Sequence, residues 1–400
     1  MNFGEINGPD RAVFLGLQRS LPHVLLLSPH PEAALLGRPQ LSIPALLTFH
    51  AFLVIPFLIP PFPLNRHLFL GLLTALLISI VRSTTGLGQA EDYVLSIICV
   101  GFYQRFVSFF VCSPPPQKNV ALARPGKEGY FGTWGLKDRL LALWAMYNNT
   151  RGVGWAWEVR TRGYASTPAL PRWTFVREQL RKLALILALT VPSHILYPTV
   201  AEVVTAPFWV RSYRSNLCVF GIYSIVNGSY ILHSVVSVSL GFSTPEEWPP
   251  LFGSITSCWS VRRAWGFWHQ SLTLPALQHA TYFSRLLGVR QSHLLTVLTG
   301  FTLSAVLHAL PAWTISRTDG GMVVYFLLQA VGIGLEEFCG RPLGGVLGVQ
   351  GRAGRVVGCV WMLAWFATTN VLFVEGLVAV GMQPVVDWRW ALGYETVRIN

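Results

Sequence analysis

Long apolar runs, separated by polar and proline-containing stretches, are the dominant pattern along this chain of 400 residues. A transmembrane helix needs about 20 predominantly apolar residues to cross a hydrocarbon core of about 30 Å. Windows of that length predict about eight spans, of which the second is short enough to be re-entrant. They are Leu41–Pro63, His67–Val81, Tyr93–Cys112, Lys182–Val204, Leu217–Phe242, Leu294–Trp313, Met322–Phe338 and Val356–Val380.

Composition supports a membrane protein rather than a soluble one. Hydrophobic residues make up 52% of the chain and charged residues only 12%, whereas soluble domains carry about 25% charged residues. The sequence therefore predicts an all-α, polytopic transmembrane helical bundle in a lipid bilayer. We expect an N-terminal segment over residues 1–40 and a single membrane-embedded domain over residues 41–400. No cleavable signal precedes the first span, so that span is expected to target the chain.

Charge predicts the orientation and one class of partner. The net charge is +12, and most Lys and Arg residues lie in three loops, 113–181, 243–293 and 340–355. The positive-inside rule therefore favours a large cytosolic loop at 113–181. Contact with anionic lipid explains most of the charge, and a basic cytosolic face also suits an anionic cosubstrate such as a CoA thioester. No module of nucleic-acid type is present, and the six cysteines show no zinc-ligand spacing.

His308 is the strongest candidate for chemistry. It lies inside the sixth predicted span, where an imidazole is costly unless it faces a polar cavity or a partner. Ser304 precedes it by one turn on the same helix face, and small Ala305 lies beside Ser304. From this window alone, a histidine that packs helices together is as good an explanation as catalysis.

Three further windows combine aromatic, polar and glycine residues. The first, Ser260–Gln270, contains Trp265, Trp268, His269 and Gln270, although an interfacial aromatic belt would explain it equally. The second, Arg151–Arg160, contains Arg151, Trp157 and Glu158 after two glycines that free the backbone to turn. The third closes the seventh span, where Gln329 and Glu336 share a helical face, with Arg341 as a candidate partner of Glu336.

These four windows, in this order, resemble the fungal wax-synthase-like branch of the membrane-bound O-acyltransferases, which includes acetyltransferases of terpenoid and meroterpenoid pathways. Arg151–Val159 is similar to an RGxGxxWEV element, and Trp265–Gln270 is similar to FWGxxWHQ. Ser304–His308 is similar to SGxxH, and Gln329 with Glu336 to a later Q…xED stretch. The resemblance covers roughly residues 90–380.

The resemblance implies an acyl-CoA-dependent O-acyltransferase of the endoplasmic reticulum without a metal cofactor. Its donor would be acetyl-CoA or another acyl-CoA, and its acceptor a hydrophobic terpenoid or meroterpenoid alcohol of secondary metabolism. His308 would be the catalytic base. The residues expected to bind substrate or acyl-CoA are Trp265, Trp268, His269, Gln270, Ser304, Gln329, Glu336, Arg151, Trp157 and Glu158.

Two departures from the family pattern leave alternatives open. Ala305 replaces the usual glycine, and one residue rather than two separates Gly266 from Trp268, which would rotate Arg263 relative to His269. A wax-ester or sterol acyltransferase is one alternative activity. A non-catalytic transporter or lipid-binding protein, or a scaffold that has lost activity, would use similar intramembrane polar residues.

Overall fold

The computed structural model describes residues 37–60, 64–113, 131–149, 152–153, 155, 157–158, 170–195, 205–268, 273–340 and 351–382. These residues form helices and connecting loops, and the only β-bridge among them joins Gln40 to Thr84. The all-α prediction is confirmed. The helices are α1 (Ile43–Leu58), α2 (Asn65–Arg82), α3 (Gln89–Phe106), α4 (Leu136–Asn148), α5 (Arg172–Ile195), α6 (Phe208–Ser239), α7 (Val261–Arg263), α8 (Thr273–Leu287), α9 (His293–Ser316), α10 (Met322–Leu335) and α11 (Gly351–Ala379).

Three helices continue into a π-helical turn, in which the hydrogen bonds span five residues rather than four. These turns are Val107–Val111 after α3, Ala264–Trp268 after α7 and Glu336–Gly340 after α10. Short 3₁₀ turns lie at Phe131–Thr133, Pro245–Glu247 and Ile255–Ser257. The last two π-helical turns coincide with motif windows of the sequence.

Among the described residues, six helices are long and apolar enough to cross a bilayer, namely α2, α3 with its π-helical turn, α6, α9, α10 with its π-helical turn, and α11. Each corresponds to a predicted span. The first predicted span is a helix of only 16 residues. The fourth becomes α5, which begins ten residues before the predicted Lys182 and includes charged residues such as Arg177 and Glu178. The predicted count of about eight spans is therefore not confirmed.

Large apolar side chains lie on the outside of the bundle. On α11, Val356, Val360 and Leu363 are each more than 60% exposed and are spaced by four and three residues, so they form one continuous face. Soluble proteins rarely expose apolar surface on this scale. In a bilayer the same face contacts lipid at no cost, and the chain is accordingly an integral membrane protein.

Helix α9 lies at the centre of the fold. It packs against α3, α8 and α10 and separates two hydrophobic clusters. One cluster is built from α1, α2, α3 and α4 around residues such as Phe57 and Phe110. The other is built mainly from α9, α10 and α11 around residues such as Phe326 and Val374. A side chain on α9 is therefore held from both sides of the bundle.

Local sequence sets the ends of α9. The Ser292 hydroxyl accepts a hydrogen bond from the backbone N–H of Leu295, which is an N-cap. Pro311 lies within the helix, as transmembrane helices tolerate. The helix ends at Arg317, a non-glycine residue with a left-handed φ of 60°. This left-handed end turns the chain back into α10.

Candidate functional site

His308 projects from α9 into an aromatic environment. Its ring stacks on Phe326 of α10 with centroids 4.8 Å apart and planes inclined by 17°. The Phe373 ring of α11 meets it edge-on at 5.8 Å. The Tyr93 hydroxyl of α3 lies 3.3 Å from its Nδ1 atom. Helices α3, α10 and α11 therefore fix the orientation of the imidazole, as the sequence could not have shown.

The face of α9 around His308 lets α3 come close. Gln104 of α3 donates a hydrogen bond of 2.8 Å to the Leu303 carbonyl oxygen, and Gly101 faces Leu307 with no side chain between them. Ser304 and Ala305 are buried. The Ser304 hydroxyl donates to the Gly300 carbonyl of its own helix at 3.1 Å, so this bond occupies its proton.

Phe326 connects His308 to the Trp265 indole. The Trp265 ring lies 6.4 Å from Phe326, centroid to centroid, and meets Phe301 of α9 edge-on at 5.4 Å. Trp265 belongs to the π-helical turn after α7. The structure therefore brings three of the four motif windows together at one aromatic cluster, namely those that contain His308, Trp265 and Gln329.

Gln329 holds two tryptophans of this cluster in place. Its side chain is fully buried, and its Oε1 atom accepts from the Nε1–H of Trp265 at 3.3 Å and from that of Trp365 at 3.1 Å. Its Nε2 donates to the Tyr325 carbonyl oxygen. Gly332, one turn later on α10, leaves room for Trp365, since a Cβ there would lie 2.7 Å from the indole.

Glu336, in the π-helical turn after α10, likewise holds a tryptophan and a neighbouring backbone segment in place. Its two carboxylate oxygens accept from the backbone N–H groups of Val261 and Arg262, at 2.5 and 3.0 Å. Its Oε1 also accepts from Trp361 Nε1 at 3.1 Å. Glu336 thus stabilises the first turn of α7 and ties α10 to α11. Arg341, its predicted partner, lies outside the described residues.

Trp157 and Glu158 belong to a different part of the fold. Trp157 is 3% exposed and packs edge-on against Phe109 at 5.5 Å, within the hydrophobic cluster of α1 to α4. The Arg105 guanidinium lies over its ring at 5.4 Å. Gly152, with φ of 63°, touches the same indole, and a Cβ there would clash with the ring. This glycine is required for that close approach.

The side chains of four predicted site residues lie outside the described part of the chain. Trp268 lies in the π-helical turn after α7, but only its backbone is described. Arg151, His269 and Gln270 lie outside the described residues. Arg263 contacts its own loop, where its Nε donates to the Ser257 carbonyl oxygen and its guanidinium covers the Trp259 ring.

Three features of the site were not found from the sequence. The sequence predicts Tyr93 only as the start of a span, and it does not single out Phe326 or Trp365. The sequence also does not single out His279, which is 4% exposed on α8. Burial lowers its pKa, opposed by its bond to the Pro275 carbonyl oxygen. Among the described residues, no three or more His, Cys, Asp or Glu side chains lie together as metal ligands.

The sequence of this chain is similar to those of known acyltransferases. Residues 248–328, from Trp248 through α9 into α10, match the model of the membrane bound O-acyl transferase family. The chain is 27% identical to the O-mevalon transferase macI of Penicillium terrestre over 64% of this chain and 68% of that protein. It is 25% identical to the acetyltransferase eriL of Hericium erinaceus over 82% and 88%.

A third relative has a higher sequence identity over a shorter part of the chain. The acetyltransferase ataH of Aspergillus terreus is 36% identical over 36% of this chain and 51% of that protein. No solved structure gives a significant match. The family match includes both His308 and Trp265, and the resemblance predicted from the motifs is confirmed.

Proposed function

We propose that this chain, a membrane-bound O-acyltransferase by its family, transfers an acyl group from an acyl-CoA to a hydroxyl group of a hydrophobic alcohol. The observation that carries the proposal is His308, an imidazole inside a membrane-spanning helix, stacked on Phe326 with its Nδ1 beside the Tyr93 hydroxyl. Intramembrane ionisable residues commonly belong to functional sites. The family match extends across this helix.

The hydrogen bond to Tyr93 suggests which imidazole nitrogen acts. If Nδ1–H donates to the phenol oxygen, Nε2 is the nitrogen that carries the lone pair a general base needs. In that state His308 removes the proton from the acceptor hydroxyl as its oxygen attacks the thioester carbonyl carbon. The carbon–sulfur bond then breaks, and the CoA thiolate takes the proton from the imidazolium. Ester and free CoA are the products, and His308 returns to its starting state.

The donor and acceptor are proposed from the relatives together with the chemistry of the fold. Acetyl-CoA is the proposed donor because several relatives are named acetyltransferases. The acceptor is proposed to be a terpenoid or meroterpenoid alcohol that enters from the lipid, since the outer faces of the spans are apolar. The endoplasmic reticulum is the proposed membrane. Trp265 is proposed to line the substrate site through its contact with Phe326, and Gln329 and Glu336 to position that wall.

The decisive test compares two histidine variants in microsomes that contain equal amounts of protein. His308→Ala should lower ester formation from labelled acetyl-CoA and a candidate alcohol by about 10²- to 10⁴-fold, the usual contribution of a general base. His50→Ala is the matched control, because His50 is an exposed helical histidine whose Nδ1 bonds the Leu46 carbonyl of its own helix. The control should retain wild-type activity.

Two outcomes would contradict the proposal. If His308→Ala forms ester as fast as the wild type, His308 is not part of the mechanism. No ester with any alcohol and acyl-CoA, from wild-type protein that is folded and abundant, would favour a transporter, a lipid-binding protein or an inactive scaffold. A wax-ester or sterol acyltransferase would instead give ester only with a fatty alcohol or a sterol.

A further inference from the structure

Three arginines surround an open pocket at the opposite end of α9 from its N-cap. The pocket has a volume of about 640 Å³ and is lined by Arg38, Arg82 and Arg317, together with residues of the segment before α1 and of the last turns of α2. Pockets of 300 to 1,000 Å³ are the usual size for small-molecule ligands. The site lies roughly 14 Å along α9 from His308, at 1.5 Å per residue, and it is not part of the aromatic cluster.

The carboxylate that pairs with Arg38 belongs to Asp92, and both of its oxygens already accept hydrogen bonds. Asp92 accepts from Arg38 Nη2 at 2.9 Å and from the Thr84 hydroxyl at 2.8 Å. The backbone N–H and the hydroxyl of Thr85 both donate to its other oxygen, at 2.6 and 2.7 Å. Asp92 therefore balances one guanidinium, and Arg82 and Arg317 leave the pocket with excess positive charge.

Several donors here have no acceptor. Arg38 Nε and Arg317 Nη1 are buried and make no hydrogen bond within the described part of the chain. The Arg82 side chain is exposed, and no hydrogen bond or ion pair of its guanidinium is seen with any described residue. The pKa of Arg317 is lowered by burial first, and then by repulsion from Arg38 and Arg82. An anion in the pocket would relieve that repulsion.

The frame of the pocket is rigid. Arg38 Nη1 donates to the Thr314 carbonyl of α9 at 2.8 Å, and the Thr314 hydroxyl bonds the Ser96 hydroxyl of α3 at 3.1 Å. Arg317 Nη2 donates to the Arg82 carbonyl oxygen, and its guanidinium covers the Trp313 ring at 4.3 Å. These contacts hold the guanidinium groups of Arg38 and Arg317 in place before any ligand arrives, which lowers the ordering cost of binding.

We propose that the pocket formed by Arg38, Arg82 and Arg317 is a binding site for a phosphate group. Guanidinium groups match phosphate oxygens in geometry and charge, and such pairs form short bidentate hydrogen bonds. The phosphate could come from the headgroup of an anionic lipid or from a soluble phosphate compound, and the chemistry of recognition is the same. The proposal does not depend on acyl transfer, because none of its residues contacts His308.

The test measures the melting temperature of the purified full chain in a neutral detergent. Phosphatidic acid and inorganic phosphate are the two probes. Diacylglycerol, which has the same tails without the phosphate, is the control for the lipid, and chloride at equal ionic strength is the control for the salt. A ligand that binds only the folded state raises the melting temperature as its concentration exceeds Kd. We expect phosphate-bearing probes to raise it and their controls to have no effect.

Variants assign the effect to the pocket. Arg82→Gln should weaken binding about tenfold, the usual effect of losing one charge-assisted hydrogen bond, and the Arg82→Gln/Arg317→Gln double variant should abolish it. Arg290→Gln is the matched control, since Arg290 is an exposed loop arginine outside the pocket. If the double variant does not fold, Arg82→Gln alone still decides the question, because its side chain is exposed.

The pattern of responses identifies the source of the phosphate. Stabilisation by phosphatidic acid alone indicates a lipid headgroup, and stabilisation by inorganic phosphate indicates a soluble ligand. The proposal is overturned if neither probe raises the melting temperature of the wild type. It is equally overturned if the increase is unchanged in the Arg82 variants.

Discussion

Gln329→Met is the substitution that most directly tests the geometry around the site. Methionine keeps the unbranched shape and approximate length of glutamine but provides no amide. The change leaves the indole N–H groups of Trp265 and Trp365 without their acceptor in a fully buried position. Side-chain hydrogen bonds between membrane helices contribute about 0.6 kcal/mol on average and up to about 1.7 kcal/mol. Two such bonds predict a loss of about 1 to 3 kcal/mol in the free energy of unfolding.

A double-mutant cycle separates these bonds from a general loss of packing. Trp365→Phe removes one donor, so Gln329→Met should cost less in that background than in the wild type, by the value of one hydrogen bond. The measurement is thermal or denaturant unfolding of the purified protein in detergent micelles. Strictly additive effects of the two substitutions would show that Gln329 does not hold Trp365 through this hydrogen bond. An unchanged stability of Gln329→Met would show the same, and Gln329 would then be free to bind substrate directly.

Two further predictions concern contacts between helices. Tyr93→Phe should lower kcat by about 2- to 10-fold with little change in KM, because it removes one hydrogen bond to His308. Tyr103→Phe, on the same helix but bonded to a threonine of α2, is the control, and equal kcat values for both variants would exclude a positioning role. Glu375→Gln should cost about 2 kcal/mol of stability, less than the roughly 3 to 5 kcal/mol typical of breaking a fully buried pair, because Arg211 is 30% exposed. The Arg211→Gln/Glu375→Gln double variant should recover part of that loss in the same unfolding assay, and a simple sum of the two single costs would contradict the pair.

The polar side chains near the end of α10 accept hydrogen bonds from tryptophans. Helical spacing places Gln329 and Glu336 on one face, and the resemblance predicts that they bind substrate or acyl-CoA. In the structure, both accept hydrogen bonds from tryptophans of α11, and Glu336 additionally accepts from two backbone N–H groups of α7. Their oxygens are thus committed to holding Trp265 and its helix. The substrate role proposed for this face is an indirect one, through the position of Trp265.

The sequence by itself determined the membrane class, six of the helices long enough to span a bilayer, and the resemblance to membrane-bound O-acyltransferases. These properties are local, because a run of about 20 apolar residues signals a span whatever its neighbours are, and motif order is read along the chain. The short first helix and the early start of α5 were missed. The first apolar run extends beyond both ends of α1, and the fourth begins ten residues after the start of α5.

Tertiary structure alone decided which side chains meet at His308. Tyr93 is 215 residues away in the chain, and Phe326 and Phe373 come from two other helices. Small and polar residues in a hydrophobic run indicate a face where another helix comes close, but they do not specify which helix, because lipid and protein interior are almost equally apolar. The same holds for the pocket of Arg38, Arg82 and Arg317, whose arginines come from three separate segments and acquire a joint meaning only where those segments pack.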